Sequence, residues 1–235
     1  MSILTSLARQ VTQQATVARA ERIAAHAYRI TLTGPALLDW AYVPGQTLNV
    51  FFGLGAVGVA ASLRKRTYSV WDYDAARQEL ELAVCTFSDG PGAHWAAQCQ
   101  AGDTVHFYGP GGKFLLNTTA PAQVFLGDVS SLAHFYALRR QVPAGMPVLS
   151  VIHARHQDDV FADLDGTFPL HVEVAETLSA AQYLQAAEAQ GLRTLLGAQV
   201  YWGGSEATCV AGHRLLQSSA WQWPPATLKT KPFWK

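Results

Sequence analysis

The feature that most constrains this chain is a change of hydrophobic period near its middle. In the first half the pattern is that of strands. The stretch "QATVARAERIAAHAYRITLTGP" alternates in two pieces around Arg22–Ala25. "PGQTLNVFF", "RTYSVWDYD", "ELELAVCTFS" and "DTVHFYGPGGKFLL" follow, the last broken at the turn Gly109–Gly112. One short helix intervenes in "GAHWAAQCQAG", ended by Gly102. Short strands punctuated by Gly and Pro predict a closed or nearly closed antiparallel barrel. From "AQVFLGDVSSLAHFYALRRQVP" onward, strands alternate with helices: "MPVLSVIHARH", "LHVEVAE", "AAQYLQAAEAQG" and "QVYWGGSEATCVAGHRLLQSS" continue the pattern. That alternation predicts a doubly wound parallel sheet. The fold class is therefore β + α/β: an antiparallel β-barrel domain over residues 1–119, then a parallel-sheet domain over 120–235, joined at the polar "NTTAPA". The closing "WQWPPATLKTKPFWK" is aromatic and basic and not helical.

At 235 residues the chain has room for two ordinary domains, and 49% hydrophobic against 14% charged residues supports buried cores. A formal net charge of zero gives no global attraction to nucleic acid or an anionic membrane. The cysteines Cys85, Cys99 and Cys209 are too scattered for a zinc or iron–sulfur site, and their odd, sparse count fits a reducing compartment. "MSILTSLARQVTQQ" lacks the apolar core of a secretion signal, so the cytoplasm is the expected location. The most apolar run, Val50–Leu63, is too short to span a bilayer and reads as a strand end entering a hairpin loop.

Four short pieces carry the chemistry. In "RTYS", Arg66 and Tyr68 share one strand face and Ser69 takes the other. A guanidinium suits a phosphate and a phenol ring offers a flat surface to a fused ring system. Taken alone, the tetrapeptide is better read as a surface strand with a solvated basic patch and one core tyrosine. The second piece, "TFSDGPGAHWAAQ", is a strand, a glycine turn and a helix start whose N–H groups suit a pyrophosphate. Its ordinary alternative is a cap led by Asp89. At one strand-pair spacing, the two pieces together point to a flavin dinucleotide seat. In the third, "VFLGDVSSLAHFYAL", Ser130 and Ser131 sit at a helix start, as caps or as phosphate donors. It is not a Gly-x-Gly-x-x-Gly fingerprint, and a plain strand-to-helix turn fits equally. In the fourth, "YWGGSEATCVAGH", Gly203 and Gly204 permit close approach of a ligand to the backbone. Glu206 accepts a hydrogen bond from a carboxamide or, the stronger reading, simply favours the helix N-terminus.

These four pieces in this order resemble the ferredoxin–NADP reductase superfamily. Within it they most resemble the siderophore-interacting protein family of FAD-dependent ferric reductases, from "YVPGQTLNVFF" to the C-terminus. The resemblance implies that Arg66 binds the FAD pyrophosphate, Tyr68 stacks on the isoalloxazine and Ser69 addresses its reactive edge. Thr67, Cys85 and Thr86 join the FAD set, as do Gly92, Ala93, His94 and Trp95 in the segment whose amides hold the phosphates. It assigns Asp128, Ser130, Ser131, Arg155 and Glu206 to NAD(P)H. The chain departs from the family at Ala93, where a hydroxyl is usual, at His94, where arginine is common, and in ending "LKTKPFWK" rather than in a Tyr-Trp-Arg run.

The implied function is transfer of electrons from NAD(P)H through FAD to Fe(III) in a siderophore complex, with no side-chain acid, base, nucleophile or metal ligand at the centre. An anionic ferric siderophore calls for a local cationic rim, with Lys65, Lys229 and Lys231 as substrate residues beside Arg64 and Lys235; a solvated face is the ordinary reading of any one lysine. Phe233 and Trp234 cover the flavin or, equally, pack against the sheet. In "VIHARHQDD" the second parallel strand ends near Ala154. Arg155 or His156 there suits a 2′-phosphate, which slightly favours NADPH, while Asp158 and Asp159 pull the other way. His153 and His156 point to opposite faces and make a poor metal pair. Two alternatives stay open: a flavin reductase of the same fold serving a protein partner such as a ferredoxin or oxygenase component, and a non-catalytic flavin or chelate carrier.

Overall fold

In β2 (Ala27–Thr33) Ile30 and Leu32 are fully buried in the barrel core, whereas Arg29 and Thr31 bond Glu81 of the neighbouring β5 (Glu79–Cys85). This alternation recurs around the first unit. The structure, a computed structural model, describes residues 12–38, 40–53 and 65–235. It divides into two compact units, one through Lys113 and one from Phe114.

In the first unit β1 (Gln13–Ala24), β2, β3 (Thr47–Phe51), β4 (Lys65–Asp74), β5 and β6 (Thr104–Gly111) close a barrel in the order β1-β2-β5-β4-β3-β6, every pair antiparallel. Leu48, Val50, Val70, Leu80, Leu82 and Phe107 fill its interior. Glu81 is 6% exposed, a position an unpaired carboxylate could not hold without a penalty of several kcal/mol, roughly. Two guanidinium bonds from Arg29, at 3.0 and 2.8 Å, and the Thr31 hydroxyl satisfy it. β6 runs through Gly109 and Pro110 to Gly111, where the sequence suggested a break. A register shift against β3 absorbs the Gly-Pro pair and lets Gly111 pair with Thr47. Helix α1 (Pro91–Gln98) ends before Gly102, because Cys99 turns extended. Of the strand end and hairpin loop expected over Val50–Leu63, residues 54–63 lie outside the described residues, as does Arg64.

The second unit is a five-stranded parallel sheet in the order β11-β10-β7-β8-β9, formed by β7 (Gln123–Asp128), β8 (Val148–Ala154), β9 (Val172–Val174), β10 (Gln199–Ser205) and β11 (Leu228–Trp234). Helices α2 (Leu132–Arg139), α3 (Ala180–Ala189) and α4 (Glu206–Gln217) connect and cover it. Val124, Leu126, Val151, Tyr183 and Trp202 form one core layer. Phe125, Phe135, Phe114 and Tyr201 stack in another ring cluster. The unit begins ahead of the junction expected after residue 119, because its first residues dock on this sheet: Phe114 is buried, and the Asn117 amide donates to the Tyr201 hydroxyl at 2.6 Å. The tail that resisted a helical reading is the edge strand β11; an edge tolerates Pro232, which lacks an N–H.

Candidate functional site

The register of β3 against β4 sets the barrel site. Arg66 lies opposite Val50, Thr67 opposite Asn49, Tyr68 opposite Leu48 and Ser69 opposite Thr47. The alternation sends Thr67 to Asn49, whose side-chain oxygen accepts its hydroxyl at 2.7 Å. Tyr68 instead packs on the barrel core and near Trp95 of α1, ring centroids 6.3 Å apart, and Phe52 lies 5.3 Å beyond Trp95. Burial raises the Tyr68 phenol well above its ordinary value, with the neighbouring Arg66 opposing, so the hydroxyl stays neutral. Ser69 is buried. Cys85 ends β5, and the Thr86 amide donates to the His26 carbonyl at 2.8 Å.

Helix α1 begins against this strand. Its cap residue Gly90 provides no side-chain acceptor, and Pro91 has no N–H to satisfy. The amides of Gly92 and Ala93 in the first turn have no carbonyl four residues back within the helix, so they are donors for an anion. A Cβ at Gly90 would lie 3.8 Å from Arg66 Nη2, and one at Gly92 would lie 3.5 Å from Arg66 Cγ and would overlap the Tyr68 hydroxyl. Guanidinium, phenol and helix start therefore converge on one turn. Beside it opens a cleft of about 640 Å3 lined by Val50, Phe52, His94, Trp95 and Thr104 among others. Asp89 is not the cap. Its carboxylate makes a short hydrogen bond with Nε2 of His94 on the cleft wall, so the imidazole expected to line the phosphate segment already has a partner.

A flavin dinucleotide fits this donor set. Arg66 and the amides of Gly92 and Ala93 suit its diphosphate, and Tyr68 with Trp95 and Phe52 offers aromatic faces. Phe52 was missed in the sequence; it lies within the apolar run Val50–Leu63 and carries no motif of its own.

In the second unit the strand order reverses between β7 and β10, the place where such sheets bind ligands beyond the strand ends. The residues expected to face a dinucleotide there are largely committed to one another. Asp128 Oδ1 accepts the Ser130 amide at 2.9 Å and the Ser130 hydroxyl. Its Oδ2 accepts the Ser205 amide and Trp234 Nε1, each at 2.9 Å. Burial raises the Asp128 carboxyl, and these bonds oppose the shift. The Ser131 hydroxyl donates to the Asp128 carbonyl at 2.6 Å. Asp128, Ser130 and Ser131 thus stitch two turns and the tail together rather than presenting free donors. Gly203 and Gly204 make room for protein rather than for a ligand: a Cβ on the first would meet Phe233 at 2.8 Å, and one on the second would overlap the Asp128 carboxylate. Glu206 is exposed in the first turn of α4, whose cap is Ser205.

Arg155 stands exposed just past β8 and pairs with Glu176 at 2.8 Å. Of the expected cationic rim, Lys65 and Lys235 are exposed. Lys229 Nζ donates to the Leu115 carbonyl at 2.9 Å, and Lys231 lies partly buried 5.5 Å from the centre of the Phe233 ring. Desolvation lowers the pKa of both. Each lysine packs on its own unit, because β11 is a strand of the sheet and not a loose tail. Phe233 and Trp234 pack there too.

Comparison with known proteins bears on this site. Residues 54–114 match the family model of the siderophore-interacting FAD-binding domain, a span that includes Arg66, Tyr68 and the α1 turn. The whole fold is shared with solved structures. The siderophore-interacting protein SipS of Aeromonas hydrophila is 22% identical over 95% of this chain and 91% of that one, with a TM-score of 0.75. A siderophore utilization protein from T. fusca is 19% identical over 95% and 92%, TM-score 0.77. Phthalate dioxygenase reductase, described as a modular structure for electron transfer from pyridine nucleotides to [2Fe-2S], is 18% identical over 96% and 69%, TM-score 0.74. A closed barrel followed by a separate parallel sheet is thus the fold that this chain shares with these proteins. Among the described residues no helix is long and apolar enough to cross a membrane.

Proposed function

We propose that this chain is an FAD-dependent oxidoreductase that takes electrons from NAD(P)H and delivers them to Fe(III) in a siderophore complex, promoting iron release. The observation that carries the reading is the convergence of Arg66, Tyr68 and the glycine-opened start of α1, within a stretch that matches a siderophore-interacting FAD-binding domain. Bound FAD supplies the conversion of a two-electron hydride donor into single-electron delivery to iron. The chain's residues bind and orient. Arg66 neutralises part of the diphosphate charge, and the amides of Gly92 and Ala93 fix its oxygens. Tyr68, kept neutral, offers its ring face without adding charge beside the cofactor. Ser69 faces the ring's reactive edge. In the second unit Glu206 and the β7–β10 switch point receive the nicotinamide donor. Lys65 is the substrate-side cation that best keeps that role, since it is exposed. Cys85, Cys99 and Cys209, none of them in a disulfide, suit the cytoplasm, where the donor is plentiful.

The test is an anaerobic titration of the FAD-loaded protein with NADH and NADPH separately, followed by a ferric hydroxamate or catecholate. Bleaching of the flavin by the donor, and its recovery on adding the chelate with Fe(II) trapped, support the proposal. Bleaching without recovery until a ferredoxin is added would move the function to a protein acceptor. No bleaching with either donor would leave a carrier.

A further inference from the structure

Strands β8 and β9 end side by side at the edge of the parallel sheet. The Ala175 amide donates to the Ala154 carbonyl at 3.0 Å, so the next residue on each chain segment, Arg155 and Glu176, leaves the same carboxyl edge. Their side chains meet, Arg155 Nη2 to Glu176 Oε1 at 2.8 Å. Both remain largely in solvent, 58% and 71% exposed, so the pair is presented outward rather than buried as a strut. An exposed pair of this kind adds little to stability. Its place is informative instead. In sheets of this order the end of the second strand is where the adenosine ribose is read, by an acid that accepts from the 2′-hydroxyl or by an arginine that grips a 2′-phosphate.

Here the arginine comes with a carboxylate already on it. The surroundings add more negative charge: Asp158 is exposed in the turn Gln157–Asp159, and Glu173 on β9 holds His171 at 2.7 Å. His153 is engaged with the Ala175 carbonyl at 2.7 Å, and His156 is exposed. A 2′-hydroxyl has a proton to give a carboxylate, whereas a 2′-phosphate has charge of the same sign and must displace Glu176 to reach Arg155.

We propose that Glu176 is a specificity-determining residue: paired with Arg155, it accepts the ribose 2′-hydroxyl and makes NADH the preferred donor over NADPH. This rests on the reading of the second unit as a nicotinamide-dinucleotide site. It reverses the slight lean toward NADPH that Arg155 and His156 suggest in the sequence, because the β8–β9 register brings Glu176 onto that arginine.

The test compares wild type with Glu176→Gln by calorimetric binding of ADP-ribose and 2′-phospho-ADP-ribose, fragments that cannot reduce flavin, and then by flavin bleaching rates with NADH and NADPH. In wild type the unphosphorylated fragment binds at least about tenfold more tightly, and Glu176→Gln shifts the ratio about tenfold toward the phosphorylated one, a change of about 1.4 kcal/mol. Equal or tighter binding of the phosphorylated fragment by wild type overturns the inference while leaving the oxidoreductase reading intact. So does an unchanged ratio in Glu176→Gln. Failure of both fragments to bind, with neither donor bleaching the flavin, removes the dinucleotide site itself and the selectivity with it.

Discussion

The hydroxyl of Tyr68 occupies the space that a Cβ on Gly92 would fill, and Arg66 Cγ lies 3.5 Å from the same point. Strand β4 and the start of α1 therefore interlock only because residue 92 has no side chain. The amides that open α1 and the Tyr68 ring are held in register by that contact.

Gly92→Ala is expected to push the Tyr68 ring away and tilt the first turn of α1, lowering FAD occupancy of the purified protein at least about tenfold, roughly 1.4 kcal/mol of binding. Gly111→Ala, where an added Cβ meets nothing within 4 Å, is the control and keeps its flavin. The ratio of flavin to protein absorbance reads the effect, with circular dichroism to verify folding. Equal occupancy in the two variants would separate the Tyr68–Gly92 contact from cofactor binding.

Arg66 is exposed, and its Nη1 donates to the Lys65 carbonyl at 2.9 Å, which leaves the rest of the fork available. A charge-assisted bond to a phosphate contributes about 1.5–3 kcal/mol. Arg66→Ala should thus weaken FAD binding by roughly 10- to 100-fold, and Arg66→Lys should fall between, keeping the charge but not the paired donors. Fluorescence titration of apoprotein with FAD gives the constants. An Arg66→Ala variant that binds FAD like wild type would place the diphosphate elsewhere.

The barrel and the parallel sheet were legible because alternation and the strand–helix rhythm are local properties of the chain. The turn at Gly90–Ala93 was legible for the same reason. What fills the space at a glycine is not local. Gly203 and Gly204 read as room for a ligand, yet Phe233 and Asp128 take that room, one brought by β11 from the far end of the chain. β11 itself was hidden because Pro232 and two lysines disguise an edge strand. The partner of Arg155 was hidden because Glu176 reaches it only through the β8–β9 register. His94 read as a phosphate contact, and only the folded turn shows Asp89 upon it.

Asp128 ties three segments together through Ser130, Ser205 and Trp234. Replacing it by Ala strands buried donors, at a cost of about 3 kcal/mol, and should lower the melting temperature by roughly 10 °C. Trp234→Phe removes one bond from a half-exposed ring and should cost about 1 kcal/mol at most. Differential scanning fluorimetry of both variants checks this. Similar small shifts for the two would mean that Asp128 is not the latch of these turns.

His134 is fully buried on α2 beneath Phe114 and Phe233, and its Nε2–H donates to the Phe114 carbonyl at 2.9 Å. Burial, and then the nearby Lys231 charge, depress its pKa from 6.5 to about 3, against the weaker opposing effect of that hydrogen bond. The unfolded chain takes up a proton near 6.5 that the folded chain refuses until about 3. Stability from this group is therefore present above the unfolded value and is lost as pH falls through that window, at about 1.4 kcal/mol per pH unit. Between pH 7 and pH 5 the loss is about 2 kcal/mol. His134→Gln keeps a donor for the Phe114 carbonyl but cannot take a proton, so its stability should change less over the same interval, by about that amount. Urea denaturation of both proteins at the two pH values measures the difference. Parallel losses in wild type and variant would show that His134 takes up its proton in the fold as readily as in the unfolded chain.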